Sequence, residues 1–297
     1  MAPKVFTAEQ IEQFQQRGHI TLKEAFPREQ ALKAQAFLWE RLSERGVQRD
    51  DRATWTQPMA HLKETYADEV FQACDTELLR DAVEDLVGAG RWSQRGHTSY
   101  WGWWPVNFAL GADRPWTVPT GGWHWDGIQF RHTVDAPDQG LLMLCMFSEI
   151  ASRGGGTLVA EGSHQVVARF LKQFPEGIEL NDAIKQCNVG HPWLAQLTGQ
   201  STSEDQIEDP QERIARFMDE ETPDEHGTRL RVIETTGSPG DVIFCHPFLY
   251  HAASQNHLGV PRFMCNRTTP LREAMQLHRA DSEYSPVEHS IRAALQA

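Results

Sequence analysis

Residues 139–160 read Gln139-Gly-Leu-Leu-Met-Leu-Cys-Met-Phe-Ser-Glu-Ile150, then Ala-Ser-Arg153-Gly-Gly-Gly156, then Thr157-Leu-Val-Ala160. The first block reads as one long, mostly buried strand; its greasy centre, Leu141–Phe147, is strand-sized and far too short to cross a membrane. The glycine triplet is a turn, and Thr157–Ala160 is the returning strand. The same texture of Trp, Val, Thr and Phe with Gly and Pro punctuation extends back to Tyr100. Strand signals resume at Leu230–Glu234, Asp241–Phe244 and Arg262–Thr268.

Before Tyr100 the chain reads helical. Thr7-Ala-Glu-Gln10 has the form of a capping box, and Ile11 and Phe14 continue a short amphipathic helix that stops at Gly18. His19-Ile-Thr-Leu22 is a brief extended piece. Pro27 to about Arg45 and Asp75 to Val87 repeat apolar residues at helical spacing. Ser163 is placed to cap a helix through Phe170 and Leu171. Residues 200–228 are polar, with a charge-rich helical piece around Ile207–Met218, and read as a surface insertion. No internal repeat or linker interrupts the chain. The expected fold is therefore a single domain over 1–297, mainly β and antiparallel, with helices at its flanks.

The 297 residues carry 28 basic and 41 acidic side chains, a formal charge of −13. An acidic chain without a basic cluster argues against nucleic acid, whose phosphates need grouped Lys and Arg. No span-length apolar run and no signal-peptide core are present, so no membrane partner and a cytoplasmic location are expected. Five scattered cysteines, Cys74, Cys145, Cys187, Cys245 and Cys265, form no Cys-x-x-Cys pair and read as reduced core residues. No feature specifies an oligomeric state.

His124-Trp125-Asp126 is the sole His-x-Asp/Glu triplet in the chain. On an extended strand residues two apart share a face, so one imidazole and one carboxylate converge while Trp125 points into packing. Two histidines and one carboxylate on one side of a metal, with open positions opposite, is the arrangement of non-haem Fe(II) oxygenases. A third ligand must return from a later strand, and Gly240-Asp-Val-Ile-Phe-Cys-His-Pro-Phe-Leu-Tyr-His251 offers His246 and His251. Arg262 follows, opening the last strand, where a guanidinium could grip a carboxylate in two parallel hydrogen bonds.

With these motifs the chain resembles the phytanoyl-CoA dioxygenase family of Fe(II)/2-oxoglutarate-dependent oxygenases. The likeness runs through Phe6-Thr-Ala-Glu-Gln-Ile-Glu-Gln-Phe-Gln-Gln-Arg-Gly-His-Ile20, His124-Trp-Asp126 and Gly155-Gly-Thr-Leu-Val-Ala-Glu-Gly-Ser-His164. It ends with Gly240-Asp-Val-Ile-Phe244, His251-Ala-Ala-Ser-Gln-Asn256 and the spacing to Arg262. The resemblance implies a double-stranded β-helix, a cupin-like jelly-roll with the site in its open mouth. It implies that His124, Asp126 and His251 ligate Fe(II), and that Arg262 holds the far carboxylate of 2-oxoglutarate. His246 is expected to line or support the site, and His164 to fasten the turn after Gly162-Ser163. Two positions depart from the family: Glu161 stands where a proline is usual, and Met143 stands near the place of a tryptophan that packs on the cosubstrate. Asn107 and Thr120 stand by rough position for the other half of that pocket.

The implied activity is a 2-oxoglutarate-dependent dioxygenase that uses Fe(II) and O2 to hydroxylate or otherwise oxidise a small molecule, releasing succinate and CO2. Asp126 argues against halogenation, because related iron halogenases carry a small residue there. Gln129, Arg131 and His132, just after the metal motif, are candidates to touch substrate. Of the dense tryptophans, most belong to packing; Trp104 is the one placed on the substrate pocket. A jelly-roll metal-dependent hydrolase and a non-catalytic ligand-binding protein are the alternatives.

Overall fold

Leu142–Met146, the centre of the apolar run, is a strand buried on both faces. Leu142, Leu144 and Met146 point into a cluster with Val159, Ile243 and Met264. Met143, Cys145 and Phe147 belong instead to the larger core that includes Leu38 and Leu79 of the flanking helices. Side chains alternate across a strand, and apolar partners on both sides leave no polar position in the run.

The computed structural model describes residues 3–95, 100–200, 208–281 and 283–296. In chain order the described strands are β1 (His19–Leu22), β2 (Met59–Leu62), β3 (Trp104–Asn107), β4 (Leu142–Met146) and β5 (Thr157–Glu161). They continue with β6 (Thr222–Pro223), β7 (Arg229–Glu234), β8 (Val242–Cys245), β9 (His251–Ala253) and β10 (Met264–Thr268). One antiparallel sheet runs β1-β8-β4-β10, with Leu144 opposite both Ile243 and Asn266. The β2–β3 pair lies along its β10 edge, where Asn107 and Arg262 exchange backbone bonds and Asn266 donates to the Trp103 carbonyl. The other antiparallel sheet runs β6-β7-β5-β9.

The glycine turn does not fold β5 back onto β4. It carries the chain from one sheet to the other, so that β4 pairs with β8 and β10 while β5 pairs with β7 and β9. Gly155 makes the crossing at φ 81°; a Cβ there would come within 2.7 Å of the Asn107 amide nitrogen. The chain changes sheet again between β7 and β8, β8 and β9, and β9 and β10. β4 is shorter than the expected 139–150: Gly140 still bonds Thr269 and Ile150 bonds Gly237, but the ladder between ends at Met146.

The helical layer covers the outer face of the first sheet. Thr7 and Gln10 close the capping box, at 3.2 and 2.9 Å, and Gly18 ends that helix at φ 85°. The helices Arg28–Ser43 and Glu77–Val87 bury Leu38, Leu42, Val83 and Leu86. Glu161 is buried on β5 and bonded to His19 of β1 at 3.0 Å and Arg231 of β7 at 2.8 Å, so the position that departs from the family pattern is an internal ionic tie. Ser163 does not cap the helix it begins; the N-cap is Gly162, and the Ser163 hydroxyl accepts from the Tyr250 amide at 3.0 Å.

Of the stretch expected as a surface insertion, residues 201–207 lie outside the described residues. Most of the remaining side chains are exposed or half-buried, with a few anchors in the fold: Phe217 is fully buried, Arg213 donates to the Val118 carbonyl at 2.6 Å, and β6 extends the second sheet. All five cysteines are buried and unpaired. Among the described residues no helix is long and apolar enough to cross a membrane.

Candidate metal centre

The two sheets leave an open-mouthed cavity of about 1070 Å³ between them. The segment carrying His124 joins the β9 edge of the second sheet. His124 and His251 exchange both backbone hydrogen bonds, at 3.1 and 2.8 Å, and their ring centres stand 4.3 Å apart. Asp126, two residues on, returns to the same side. Its Oδ1 lies 3.4 Å from His124 Nε2 and 3.7 Å from His251 Nε2. One ligand atom from each of the three residues falls within 4.8 Å of the others.

Both rings are held in the tautomer a metal needs. His124 Nδ1 bonds the Gly122 carbonyl at 2.7 Å and His251 Nδ1 bonds the Leu249 carbonyl at 3.1 Å. A carbonyl can only accept, so each Nδ1 carries a proton and each ring turns its Nε2 toward Asp126. His251 Nε2 is buried and has no hydrogen-bond partner. Burial, with His124 beside it, pushes the His251 pKa down to about 4. Burial opposes charge on both Asp126 and His124, yet each outweighs it for the other: the neighbouring imidazoles hold the Asp126 carboxyl below its usual range, and the carboxylate raises the His124 pKa. A carboxylate and two imidazole Nε2 atoms so placed fit a divalent metal of the first transition row, whose charge would replace that of the proton His124 carries beside Asp126.

Arg262 opens on the same cavity and is 2 % exposed. Its Nη1 reaches only the Met264 sulfur, at 3.5 Å, and its Nε has no partner. No carboxylate among the described residues pairs with it, and burial lowers its pKa to about 10. A desolvated, unpaired guanidinium is costly for a fold to keep. A carboxylate entering the cavity would satisfy it in bidentate fashion.

Trp125 points away from its neighbours, fully buried against Tyr250, with ring centres 5.2 Å apart. Its Nε1 donates to His132 Nδ1 at 3.2 Å, and His132 Nε2 donates to the Gly127 carbonyl at 2.9 Å. His132 is thus a buried brace behind the metal motif and not a substrate contact, because both of its nitrogens are engaged internally. Gln129 does line the cavity. Arg131 does not: it is exposed and ties Glu179 and the Gly177 carbonyl, at 2.8 and 2.5 Å.

Trp104 is also displaced from its expected role. It is fully buried, 5.1 Å from both Phe71 and Phe147, while its neighbour Trp103 lines the cavity. Strand alternation explains this: Trp103 and Pro105 face inward, and Trp104 and Val106 face the helices. Asn107 is fully buried with its amide spent on Ser254 and Leu110, at 3.0 Å each, and Thr120 is exposed off the cavity wall. Neither supplies the second half of a cosubstrate pocket. His246 lies outside the cavity, its ring 4.8 Å from His164, and accepts from the Phe248 amide. His164 fastens its turn through Gln15 and Ser290, at 3.1 and 3.0 Å.

Cavity residues beyond those read from the sequence include His61 and Lys63 near Trp103, together with Gln139 and Asn266. For His61 and Asn266, period-two spacing on β2 and β10 was the signal that could have found them.

The chain matches no protein-family profile and no curated protein sequence. Solved structures give distant likenesses. HygX from Streptomyces hygroscopicus, with nickel and 2-oxoglutarate bound, is 13% identical, with 88% of this chain and 86% of that chain covered and a TM-score of 0.46. AviO1 from Streptomyces viridochromogenes Tue57 is 14% identical over 93% and 99% of the two chains, at a TM-score of 0.47. EctD from S. alaskensis, with 2-oxoglutarate and 5-hydroxyectoine, is 15% identical over 90% and 77%, at a TM-score of 0.44.

Proposed function

We propose that this protein is a non-haem Fe(II)- and 2-oxoglutarate-dependent dioxygenase of the phytanoyl-CoA dioxygenase kind, with a double-stranded β-helix core. Its substrate is a small molecule, which it hydroxylates or otherwise oxidises. The observation that carries this reading is Arg262: a buried guanidinium without an anion, opening on the cavity that holds the two-histidine, one-carboxylate cluster.

His124 and His251 would present Nε2, and Asp126 one carboxylate oxygen, to a ferrous ion, leaving open positions opposite the three. Arg262 would bind the distal carboxylate of 2-oxoglutarate and so fix its keto-acid end toward those positions. When bound, iron and 2-oxoglutarate supply O2 activation and substrate oxidation, with the cosubstrate leaving as succinate and CO2. The cavity walls contribute shape and dryness: Met59, Pro105 and Trp103 on one side, Phe130, Leu180 and Ile184 on the other. A zinc hydrolase built on the same three ligands would leave Arg262 without a task.

The test is direct. Anaerobic addition of Fe(II) and 2-oxoglutarate should produce a weak visible charge-transfer band, and admission of O2 should then yield succinate. Freshly reconstituted protein that gives neither would refute the reading.

A further inference from the structure

Arg262 and Thr157 come from opposite sheets and meet on one atom. Arg262 Nη1 donates to the Met264 sulfur at 3.5 Å, and the Thr157 hydroxyl donates to the same sulfur at 3.7 Å. All three residues line the cavity, and none is more than 5 % exposed. The Thr157 hydroxyl has no other partner among the described residues. A thioether is a weak acceptor. A buried guanidinium and a buried hydroxyl that share one keep most of their hydrogen-bonding capacity unspent.

The strand register brings Thr157 to the face that carries the metal ligands. Val159 of β5 stands opposite His251 of β9, and Thr157 stands opposite Ala253. Opposed residues of an antiparallel pair share a face, and so do residues two apart on one strand. Thr157, Val159, Ala253 and His251 therefore turn toward the other sheet, where Val159 packs in one cluster with Met264. Leu158 and Ala252 point the opposite way, into the larger core. Thr157 lies about 7 Å along the sheet from the level of His251. Donors from both sheets thus converge two residues away from a metal ligand.

We infer that Thr157 and Arg262 together clamp the far carboxylate of the cosubstrate, and that the Met264 thioether holds the two donors in the ligand-free protein. Arg262 supplies the charge and Thr157 a second hydrogen bond, the one that neither Asn107 nor Thr120 is placed to give. The Met264 side chain is unbranched and flexible, so it can turn aside as the carboxylate arrives. This inference rests on the oxygenase reading in naming the carboxylate as that of 2-oxoglutarate.

Calorimetric titration of the whole Zn(II)-loaded protein tests it with two keto acids. 2-Oxopentanoate has the chain of 2-oxoglutarate with a methyl group in place of the far carboxylate. The wild-type protein should bind 2-oxoglutarate at least about tenfold tighter. Thr157→Val, which exchanges the hydroxyl for a methyl group of the same shape, should weaken 2-oxoglutarate about tenfold and spare 2-oxopentanoate. Thr157→Ser should keep most of the preference. In protein labelled with 13C at the methionine methyl groups, 2-oxoglutarate should shift the Met264 signal several times more than 2-oxopentanoate does. Loss of that signal in Met264→Leu identifies it.

Equal wild-type affinity for the two keto acids, or a preference unchanged in Thr157→Val, overturns the inference. So does equal weakening of both in Thr157→Val, which would give the hydroxyl a structural role, or a Met264 signal moved alike by both. Glutarate, which has both carboxylates but no keto group, separates the clamp from the reading beneath it. If 2-oxoglutarate binds no better than glutarate and both weaken in Thr157→Val, the oxygenase reading fails and the clamp stands. If Fe(II), 2-oxoglutarate and O2 yield succinate while Thr157→Val keeps the wild-type preference, the clamp alone fails.

Discussion

His124 and His251, far apart in sequence, exchange both backbone hydrogen bonds across the edge of the second sheet, at 3.1 and 2.8 Å. That pairing, and not any side-chain contact, sets their rings side by side, tilted by 52°. The backbone should therefore survive loss of either ring. His124→Ala, Asp126→Ala and His251→Ala are each expected to abolish stoichiometric Fe(II) binding while leaving the far-ultraviolet circular dichroism unchanged. His246→Ala should retain the metal and lose stability instead, because its ring packs in the core. Metal content by atomic emission distinguishes them; a metal-free His246→Ala with a fully loaded His251→Ala would overturn the ligand assignment.

Arg262 makes an opposite pair of demands on stability and binding. Its guanidinium is buried, unpaired and pushed down in pKa to about 10 by desolvation. Replacing a buried charge of this kind by an apolar side chain of similar length often stabilises a protein by about 1–4 kcal/mol. Arg262→Met should accordingly raise the melting temperature of the ligand-free protein. The same change should weaken 2-oxoglutarate at least about tenfold, since a charge-assisted contact is worth roughly 1.5–3 kcal/mol. A variant that loses stability while keeping cosubstrate affinity would show that the arginine serves the fold.

The sequence patterns that were legible are those enforced locally. The Thr7 capping box, the Gly18 stop and the HITL strand need only neighbouring residues, and each forms where its pattern places it. The apolar run 141–147 marked a strand buried on both faces, but nothing in it says which strand lies beside it. Hence β5, read as the partner of β4, belongs to the other sheet. The same gap misplaced Trp104: adjacent tryptophans look alike in sequence, and only the register of β3 against β2 and β10 decides which one faces the cavity. The place of His132 just after the metal motif suggests a mouth residue, whereas its Nδ1 and Nε2 are both consumed by Trp125 and Gly127.

That brace leads to a third prediction. Trp125 and Gly127 flank Asp126, and His132 is bonded to both of them. Gly127 adopts φ 119°, and a Cβ there would come within 2.7 Å of the His132 ring. His132→Leu should therefore leave all three ligands present but weaken Zn(II) or Ni(II) binding about tenfold, the lower end for supporting partners of a metal site. His132→Gln, which can still donate and accept, should recover part of the loss in calorimetric titration. Unchanged metal affinity in His132→Leu would mean that packing alone fixes the Asp126 loop.

His164 and His246 give the fold a predictable acid dependence. Their rings stand 4.8 Å apart in the core. Burial lowers the His164 pKa to about 4 and takes His246 well below its ordinary value. Both are neutral in the folded state but would take a proton near pH 6.5 once unfolded. The unfolded state thus binds more protons between about pH 6.5 and the folded pKa values, so stability is full above this window and falls as pH drops into it. Each ring can contribute up to about 1.4 kcal/mol per pH unit there. The urea midpoint should therefore fall between pH 7.5 and 5.5, a range above the titration of most carboxylates. His164→Asn, less stable at pH 7.5 because it gives up its Gln15 and Ser290 contacts, should show a smaller fall over the same interval. An equal fall in that variant would place the acid sensitivity elsewhere, among the other buried imidazoles.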